Sequence, residues 1–232
     1  MQTKIIATIG PSSFNPIIIK RMINAGMNIA RINLKYASIS DVIKLKSMTN
    51  QFGCELLVDV LNKKNASLVK QIDFDYLALS FAKSAEQINE VRSLFNHKIN
   101  LISKIETRAG VKNINQIIKA SNGVMVARGD LGSHVPIESL PFFQKSIINE
   151  CNKKYRFVIT ATEMLLSMTK SRIPTKAEVS DVANAVIDGS DALMLSEETA
   201  IGKHPVLAVK TMAKIINEAE LFIKSPSYCR KN

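Results

Sequence analysis

Eight short runs rich in isoleucine, valine and leucine recur along the chain and constrain its fold more than any other feature. Runs such as 56–58 and 192–195 are continuously apolar, as expected of strands buried on both faces of a parallel sheet. The amphipathic stretches between them are typical of helices. We therefore predict strands near residues 3–9, 28–34, 54–60, 74–80, 99–105, 121–127, 156–161 and 190–196.

Three of the intervening segments carry clear helix signals. Residues 16–23 begin with a proline and end before Gly26, a plausible helix end. Residues 84–95 place apolar side chains at helical spacing, and residues 175–187 end before Gly189. Strands and helices therefore alternate throughout the chain.

About eight strand–helix repeats in a chain of this length predict an α/β protein, a single (β/α)₈ TIM barrel. The alternative is an open, doubly wound sheet, which normally has fewer strands and a Gly-x-Gly-x-x-Gly turn that this sequence lacks. We assign residues 1–224 to the barrel. The basic tail, residues 225–232, is expected to be disordered.

Composition excludes several classes of protein. The 232 residues are 46% hydrophobic and 22% charged, which fits a globular chain with a substantial core. No run of about 18 apolar residues predicts a membrane span, and the N-terminus lacks the features of a signal peptide. Three widely spaced cysteines (54, 151 and 229) fit neither a disulfide framework nor a metal site, so we expect a cytoplasmic protein.

The formal net charge of +11 raises the question of nucleic-acid binding. The lysines are scattered, however, and no basic block interleaved with aromatic residues is present. We therefore expect no nucleic-acid partner. A positive field favours small anionic substrates such as phosphates and carboxylates.

Charged residues follow two neighbouring predicted strands: Lys104 and Glu106 after one, Arg128 and Asp130 after the next. In a barrel, residues at the carboxyl ends of the strands form the active site. Two nearby carboxylates repel unless a cation lies between them, and oxygen ligands suit Mg²⁺ or Mn²⁺. Glu106 and Asp130 are therefore candidate metal ligands, and Arg31 is a candidate clamp for phosphate or carboxylate. The alternative is two ordinary surface ion pairs.

A series of motifs in the same order resembles the barrel domain of pyruvate kinase, from about residue 3 to residue 222. Many motifs recur rather than one short pattern, which makes the resemblance specific. The matching segments are 7–13, 30–33, 80–81, 103–106, 127–132, 161–165, 174–178, 180–186 and 196–200.

The resemblance implies a cytoplasmic enzyme of glycolysis that acts on phosphoenolpyruvate or pyruvate through a divalent-metal enolate. Glu106 and Asp130 would bind Mg²⁺ or Mn²⁺, and Lys104 would stabilise the enolate. Arg31 would hold the transferred phosphoryl group, and Thr162 would lie over the enolpyruvate.

The resemblance also implies roles for other residues of the matched motifs. The amides of Gly129 and Asp130 would bind the substrate carboxylate, and Asn33 and Asp59 would bind potassium. The remaining residues are implied in catalysis (Arg128), in substrate binding (Ser80 and Phe81) and in supporting the site (Ser196 and Glu198).

The chain departs from the family pattern where the nucleotide would bind. The family inserts a lid domain after the third strand, but only about 13 residues, 61–73, separate strands three and four here. The family's C-terminal regulatory domain is also missing from this sequence. We therefore expect impaired phosphoryl transfer to ADP, and whether ADP or ATP binds at all stays open.

A second departure concerns potassium. Lys35 and Tyr36 replace a serine and a histidine of the family, which removes one potassium ligand and a nucleotide neighbour. We expect the Lys35 ammonium to replace potassium by pairing with Asp59. Further replacements in the same motifs are Glu163, Glu197 and His134.

Three interpretations follow. The first is a pyruvate kinase-like enzyme without a lid. The second is a nucleotide-independent, metal-dependent enzyme of 2-oxoacids, of the decarboxylase, aldolase or tautomerase type. The third is a non-catalytic remnant that serves as a binding partner. Phosphoenolpyruvate, pyruvate and oxaloacetate are the candidate substrates, and a homo-oligomer is plausible.

Overall fold

The computed structural model describes residues 2–225 and contains a closed barrel of eight parallel strands in sequence order. Strand β1 closes the barrel by pairing with β8, for example at Lys4 and Ala192. Each observed strand lies within a predicted one, so the predicted (β/α)₈ barrel is confirmed. The strands are β1 Lys4–Thr8, β2 Ile29–Asn33, β3 Glu55–Val60, β4 Tyr76–Leu79, β5 Asn100–Ile105, β6 Gly123–Ala127, β7 Phe157–Ala161 and β8 Ala192–Leu195.

Helices follow each strand, and some of the connections at the carboxyl ends of the strands contain an additional short helix. Two short 3₁₀ segments, Ile137–Ser139 and Leu166–Thr169, also occur in these connections. Within residues 2–225 the α-helices are α1 Pro16–Asn24, α2 Ile39–Asn50, α3 Lys63–Leu68, α4 Ala85–Arg92, α5 Arg108–Lys112, α6 Ile114–Ala120, α7 Arg128–Gly132, α8 Leu140–Lys153, α9 Lys176–Ile187, α10 Glu197–Ala200 and α11 Pro205–Ile223.

Capping residues fix where the predicted helices begin. The Asn15 side chain accepts from two backbone amides in the first turn of α1. Pro16 is the first residue of the helix, where a backbone N–H would have no acceptor within the helix. At α9, Thr175 and Glu178 form a reciprocal capping box. These caps explain why α1 and α9 start at or one residue beyond the predicted positions.

Alternation of side chains along each strand produces two apolar layers. One layer lies between the sheet and the helices, and the other fills the barrel. The residues inside the barrel are Ile6, Ile29, Leu57, Ala78, Ile102, Met125, Ile159, Ala161, Ala192 and Met194. The next inward positions towards the carboxyl ends are polar: Thr8, Arg31, Asp59, Ser80 and Lys104. The barrel therefore has a dry interior with a charged layer at one end.

The connection between β3 and β4 is short. It runs through residues 61–75 and contains only the six-residue helix α3. No inserted domain interrupts the barrel at this point. The chain therefore leaves the adjacent mouth of the barrel open.

No helix within residues 2–225 has both the length and the apolar character needed to cross a lipid bilayer. Of the predicted tail, 225–232, only Ser225 is among the described residues, and the prediction for that segment stays a prediction.

Candidate active site

A cavity of about 770 Å³ opens at the carboxyl ends of the strands. It brings together residues predicted from six separate segments of the chain. The predicted residues that line it are Arg31, Asn33, Lys35, Ser80, Phe81, Lys104, Glu106, Asp130, Thr162 and Ser196. Asp59, Arg128, Gly129 and Glu198 are not among its lining residues.

Two buried cations meet one buried carboxylate in the charged layer. Arg31 donates to Asp59 Oδ2 from Nε at 3.0 Å and from Nη2 at 2.7 Å. Lys104 Nζ lies 3.2 Å from the same oxygen. Burial alone would raise the pKa of Asp59, but Lys104 and Arg31 outweigh it and hold that pKa below its ordinary value. Asp59 is therefore ionised and holds both cations in place.

Thr8 is a site residue that the sequence prediction did not single out. Its hydroxyl accepts from Arg31 Nη1 at 2.8 Å and donates to the carbonyl of Leu195 at 2.9 Å. The register pairs Thr8 with Arg31 on the neighbouring strand. A polar residue at the end of β1, in line with Arg31, was the available signal.

Lys104 lies at the centre of the charged layer. Its ammonium donates to Ser80 Oγ at 2.9 Å and lies 3.0 Å from Glu106 Oε1. The other oxygen of Glu106 accepts from the backbone amide of Phe81 at 2.5 Å. Phe81 has a φ of 51°, an uncommon conformation for this residue type, which lies just past the end of β4. Burial raises the pKa of Glu106, although Lys104 and the Phe81 amide oppose that shift.

Glu106 and Asp130, the predicted metal ligands, both line the cavity. Glu106 Oε1 is buried and accepts no hydrogen bond from the described residues, although the Lys104 ammonium is near. Asp130 is exposed on α7 and lines the same cavity. Within residues 2–225 no cluster of three or more acidic, histidine or cysteine side chains is suited to a metal. A pair of carboxylates suits Mg²⁺, which usually keeps waters and binds substrate oxygens as well.

Thr162 occupies a strained conformation at the end of β7. Its φ of 71° is unusual for a β-branched residue, and Glu163 follows with a φ of 54°. Such residues cost on the order of 1–3 kcal/mol each unless their surroundings hold them. The Thr162 hydroxyl accepts from the Gly129 amide at 2.7 Å and donates to the Ala161 carbonyl. The Gly129 amide, predicted to bind the substrate carboxylate, is therefore bonded to Thr162.

Thr160 and Thr162 do not share a face, although strict alternation predicts that they do. Thr160 is buried outside the barrel, where its hydroxyl lies 2.8 Å from that of Ser190. The left-handed backbone at Thr162 interrupts the alternation. Only Thr162 reaches the cavity.

Arg128 lies differently from the prediction, which gave it a catalytic role. Its guanidinium donates to the Thr162 carbonyl and to Asp181 on α9. These bonds direct the guanidinium away from the cavity lining. Arg128 lies behind Thr162 in this structure, and its catalytic role stays a prediction.

Lys35 does not pair with Asp59, contrary to the prediction. The chain turns after Asn33, whose side-chain oxygen accepts from the Lys35 amide at 3.0 Å. Lys35 is exposed, and its ammonium lies 5.3 Å from the centre of the Tyr36 ring. The ion-pair partners of Asp59 within residues 2–225 are Arg31 and Lys104.

Glu198, for which the resemblance implies a supporting role, connects two segments of the chain. It is fully buried, and its two oxygens accept from the amides of Leu165 at 3.0 Å and Ser196 at 2.7 Å. Burial raises the pKa of Glu198, while the hydrogen bonds from these amides oppose that shift. The carboxylate therefore joins the segment after β7 to the end of β8.

Comparison with known proteins agrees with the motifs. A sequence profile described as "Pyruvate kinase, barrel domain" matches residues 37–209. A pyruvate kinase of Methanocaldococcus jannaschii is 46% identical over 167 residues, covering 71% of this chain and 37% of the relative. A pyruvate kinase of Dictyostelium discoideum is 45% identical over 202 residues, covering 86% of this chain and 36% of the relative.

A third relative shows what this chain lacks. The pyruvate kinase of Thermoplasma acidophilum is 31% identical over 318 residues, which cover 95% of this chain and 58% of the relative. Because that alignment is longer than the whole 232-residue chain, the relative contains internal segments without a counterpart here. The chain spans between about a third and somewhat over half the length of these three relatives.

The profile covers most of the chain, the three relatives cover 71–95% of it, and the closed barrel carries charged residues of the matched motifs at its mouth. This chain belongs to the pyruvate kinase family and corresponds to that family's barrel domain.

Proposed function

We propose that this chain catalyses a reaction of phosphoenolpyruvate or pyruvate that passes through the enolate of pyruvate and requires Mg²⁺ or Mn²⁺. One observation carries the proposal: Arg31, Lys104, Glu106, Asp130 and Thr162 line a single cavity. Two cations, two carboxylates and one hydroxyl at one barrel mouth suit an anionic substrate with several oxygens.

The residues divide into two functional groups. Glu106 and Asp130 would hold the metal, which supplies Lewis-acid stabilisation of negative charge when bound. Lys104 and Arg31 are already oriented by Asp59, so they are preorganised for substrate oxygens that become more negative during the reaction. Lys104 is assigned to the enolate oxygen and Arg31 to the phosphoryl group. Thr162 is assigned to the face of the enolpyruvate.

Phosphoryl transfer to ADP is proposed to be slow. That reaction depends on positioning and charge stabilisation of the phosphates. The 15-residue connection between β3 and β4, residues 61–75, contributes no lid over the cavity. Bound phosphates would therefore stay wet and loosely held.

The same short connection favours a second candidate function. A metal-dependent enzyme of 2-oxoacids, of the decarboxylase, aldolase or tautomerase type, needs the enolate chemistry and no nucleotide. The third candidate, a non-catalytic binding partner, is disfavoured by the buried and mutually oriented charges, since a binding role does not require them. A cytoplasmic location and self-association stay predictions.

Exchange of the pyruvate methyl protons tests the proposal directly. The protein, pyruvate and Mg²⁺ or Mn²⁺ are combined in D₂O, and loss of the methyl signal is followed by ¹H NMR without nucleotide. We expect exchange that requires the metal and that is lost in Lys104→Met but kept in Lys145→Met, a lysine remote from the cavity lining. No exchange above the metal-only rate would overturn the proposal.

Two further assays separate the candidates. Phosphoenolpyruvate and ADP, followed by ³¹P NMR, detect the kinase reaction. Oxaloacetate, with and without ADP, detects the nucleotide-independent reaction. Turnover of oxaloacetate that greatly exceeds ATP formation supports the second candidate, whereas fast ATP formation contradicts the proposed impairment.

A further inference from the structure

Arg128 connects the active site to two helices outside it. Its guanidinium donates twice to one acceptor, the carbonyl of Thr162, from Nε at 3.2 Å and from Nη2 at 2.6 Å. Arg128 also follows β6 directly, so its backbone is fixed by the barrel. The arginine therefore holds the Thr162 carbonyl from behind the cavity.

The orientation of Arg128 is fixed in turn by α9 and α8. Its Nη1 lies 2.7 Å from a carboxylate oxygen of Asp181 on α9 and 3.4 Å from Gln144 Oε1 on α8. The Arg128 side chain is only 10% exposed, so the Asp181 carboxylate is its main neutralising partner. Asp181 itself is 35% exposed and does not line the cavity.

Thr162 depends on this support because its conformation is unfavourable. A β-branched residue at a φ of 71° returns to an extended or helical conformation unless neighbouring groups prevent it. Such a change would rotate the carbonyl away from Arg128 and the hydroxyl away from the Gly129 amide. The Thr162 side chain would then move relative to the cavity that this residue lines.

We propose that Asp181 is a positioning residue that acts through Arg128 to keep Thr162 in its left-handed conformation and its hydroxyl in the cavity. The catalytic consequence of this proposal rests on the function proposed above, whereas the effect on Thr162 does not. Asp181 lies in the matched segment 180–186, but it neither lines the cavity nor contacts Thr162, and no role was assigned to it from the sequence.

Helix packing alone is the competing explanation, and the chain offers a matched control for it. Lys145 on α8 and Asp188, at the end of α9, also form an ion pair between the same two helices. That pair makes no contact with Arg128 in the described part of the chain. Loss of Asp188 therefore removes a bond between α8 and α9 but leaves the support of Thr162 intact.

The test is made on the full chain with ¹³C- and ¹⁵N-labelled threonine. The Cα and Cβ chemical shifts of Thr162 report its backbone conformation and need no turnover. In Asp181→Ala we expect these shifts to move towards ordinary threonine values, with Asp181→Glu close to the parent. Asp188→Ala should leave them unchanged. Unchanged Thr162 shifts in Asp181→Ala would overturn the proposal.

Kinetics provide the second measurement. Because misplacement of a group by about 1 Å can lower a rate by about 100-fold, we expect kcat of Asp181→Ala for methyl exchange to fall by about 10- to 100-fold. KM should stay near the parent value, and Asp181→Glu should restore most of kcat. A parent protein without activity, together with displaced Thr162 shifts in Asp181→Ala, would support the positioning and count against the proposed function. If Asp181→Ala does not fold, Asp181→Asn, which keeps one acceptor, provides the same comparison.

Discussion

Arg31 Nη2 and Asp59 Oδ2 lie 2.7 Å apart inside the barrel, in an ion pair whose side chains are 8% and 1% exposed. The guanidinium uses two nitrogens on one oxygen, and Lys104 approaches the same carboxylate. One carboxylate therefore orients the two cations that the proposed chemistry needs. Its removal should affect the stability of the fold as well as the site.

Asp59→Asn should strongly destabilise the protein near neutral pH, because it leaves the buried Arg31 without a charged partner and removes one of the two carboxylates beside Lys104. Loss of one member of a buried pair typically costs about 3–5 kcal/mol. Urea unfolding followed by circular dichroism measures the change. Asp73→Asn is the control, since it removes a carboxylate that is 84% exposed and pairs with Lys46. Equal midpoints for Asp59→Asn and the parent would contradict the assigned role.

The difference in unfolding free energy between the parent and Asp59→Asn should also depend on pH. The pKa of Asp59 is lowered in the folded protein, so its ionised form is favoured by folding. That contribution is complete above the ordinary pKa of an aspartate and is lost as the pH falls through the lowered pKa. Unfolding experiments from pH 7 downwards should therefore show that this free-energy difference becomes smaller as the pH falls. A free-energy difference that grows on acidification would contradict a lowered pKa of Asp59 in the folded protein.

Asp130→Asn should weaken Mn²⁺ binding by roughly tenfold, because metal affinity depends on the charge of the ligands. Electron paramagnetic resonance of Mn²⁺ measures the free ion directly. Glu197→Gln is a matched control, since Glu197 also lines the cavity and is exposed but is not an assigned ligand. Unchanged binding in Asp130→Asn would exclude Asp130 as a ligand.

Lys35→Ser should change little, despite its place beside the predicted potassium site. The side chain is exposed and its ammonium lies over Tyr36, so we expect a stability change within about 0.5 kcal/mol. The substitution should not create a potassium requirement in the methyl-exchange assay. If Lys35→Ser required potassium for activity and the parent did not, the result would support the prediction that Lys35 replaces potassium beside Asp59.

Glu198→Gln should destabilise the protein by about 1–3 kcal/mol. The side-chain NH₂ group of glutamine would face one of the two backbone N–H donors, which would lose its acceptor. Both carboxylate oxygens of Glu198 now accept from amides, those of Leu165 and Ser196. Thermal unfolding measures the loss, and Glu197→Gln again serves as the exposed neighbour. A Tm equal to that of the parent would show that these two bonds contribute nothing.

Cys54 and Cys151 should resist thiol reagents in the folded protein. Burial raises the pKa of Cys54 to about 11 and that of Cys151 to about 12, so almost no thiolate forms near pH 8. A Cys229→Ser variant isolates these two thiols for assay with a chromogenic disulfide. Slow reaction in buffer and rapid reaction of both thiols in urea are expected. Rapid labelling without urea would disprove their inertness.

The barrel could be predicted from the sequence because parallel strands that are buried on both faces consist of continuous apolar runs. In this chain those runs are rich in isoleucine, valine and leucine. The residues around the cavity could be predicted because they lie at the carboxyl ends of those strands or just beyond them, as Lys104 and Glu106 do. The alternation of side chains predicts which residues face the barrel interior wherever the backbone is a regular strand. It no longer predicts side-chain direction where the strand ends.

The incorrect predictions fall at such ends. Lys35 lies in a turn after Asn33, and the turn rather than residue type decides that its side chain faces outwards. Thr162 leaves the alternation of β7, and its carbonyl accepts from Arg128, a contact between residues 34 positions apart. Local sequence contains no signal for a conformation that is imposed by a distant side chain.

The short connection between β3 and β4 has a consequence for the fate of an enolate at this mouth. Under the proposed function, bulk water would reach the carbon that is protonated, so protonation would compete with capture of a phosphoryl group. The partition between these two outcomes then depends on phosphate occupancy rather than on the closing of a domain. Under the proposed function, an open barrel of this kind would let the enolate and the keto acid interconvert by proton exchange with the solvent. Its turnover should also be insensitive to solvent viscosity beyond the diffusion of small molecules.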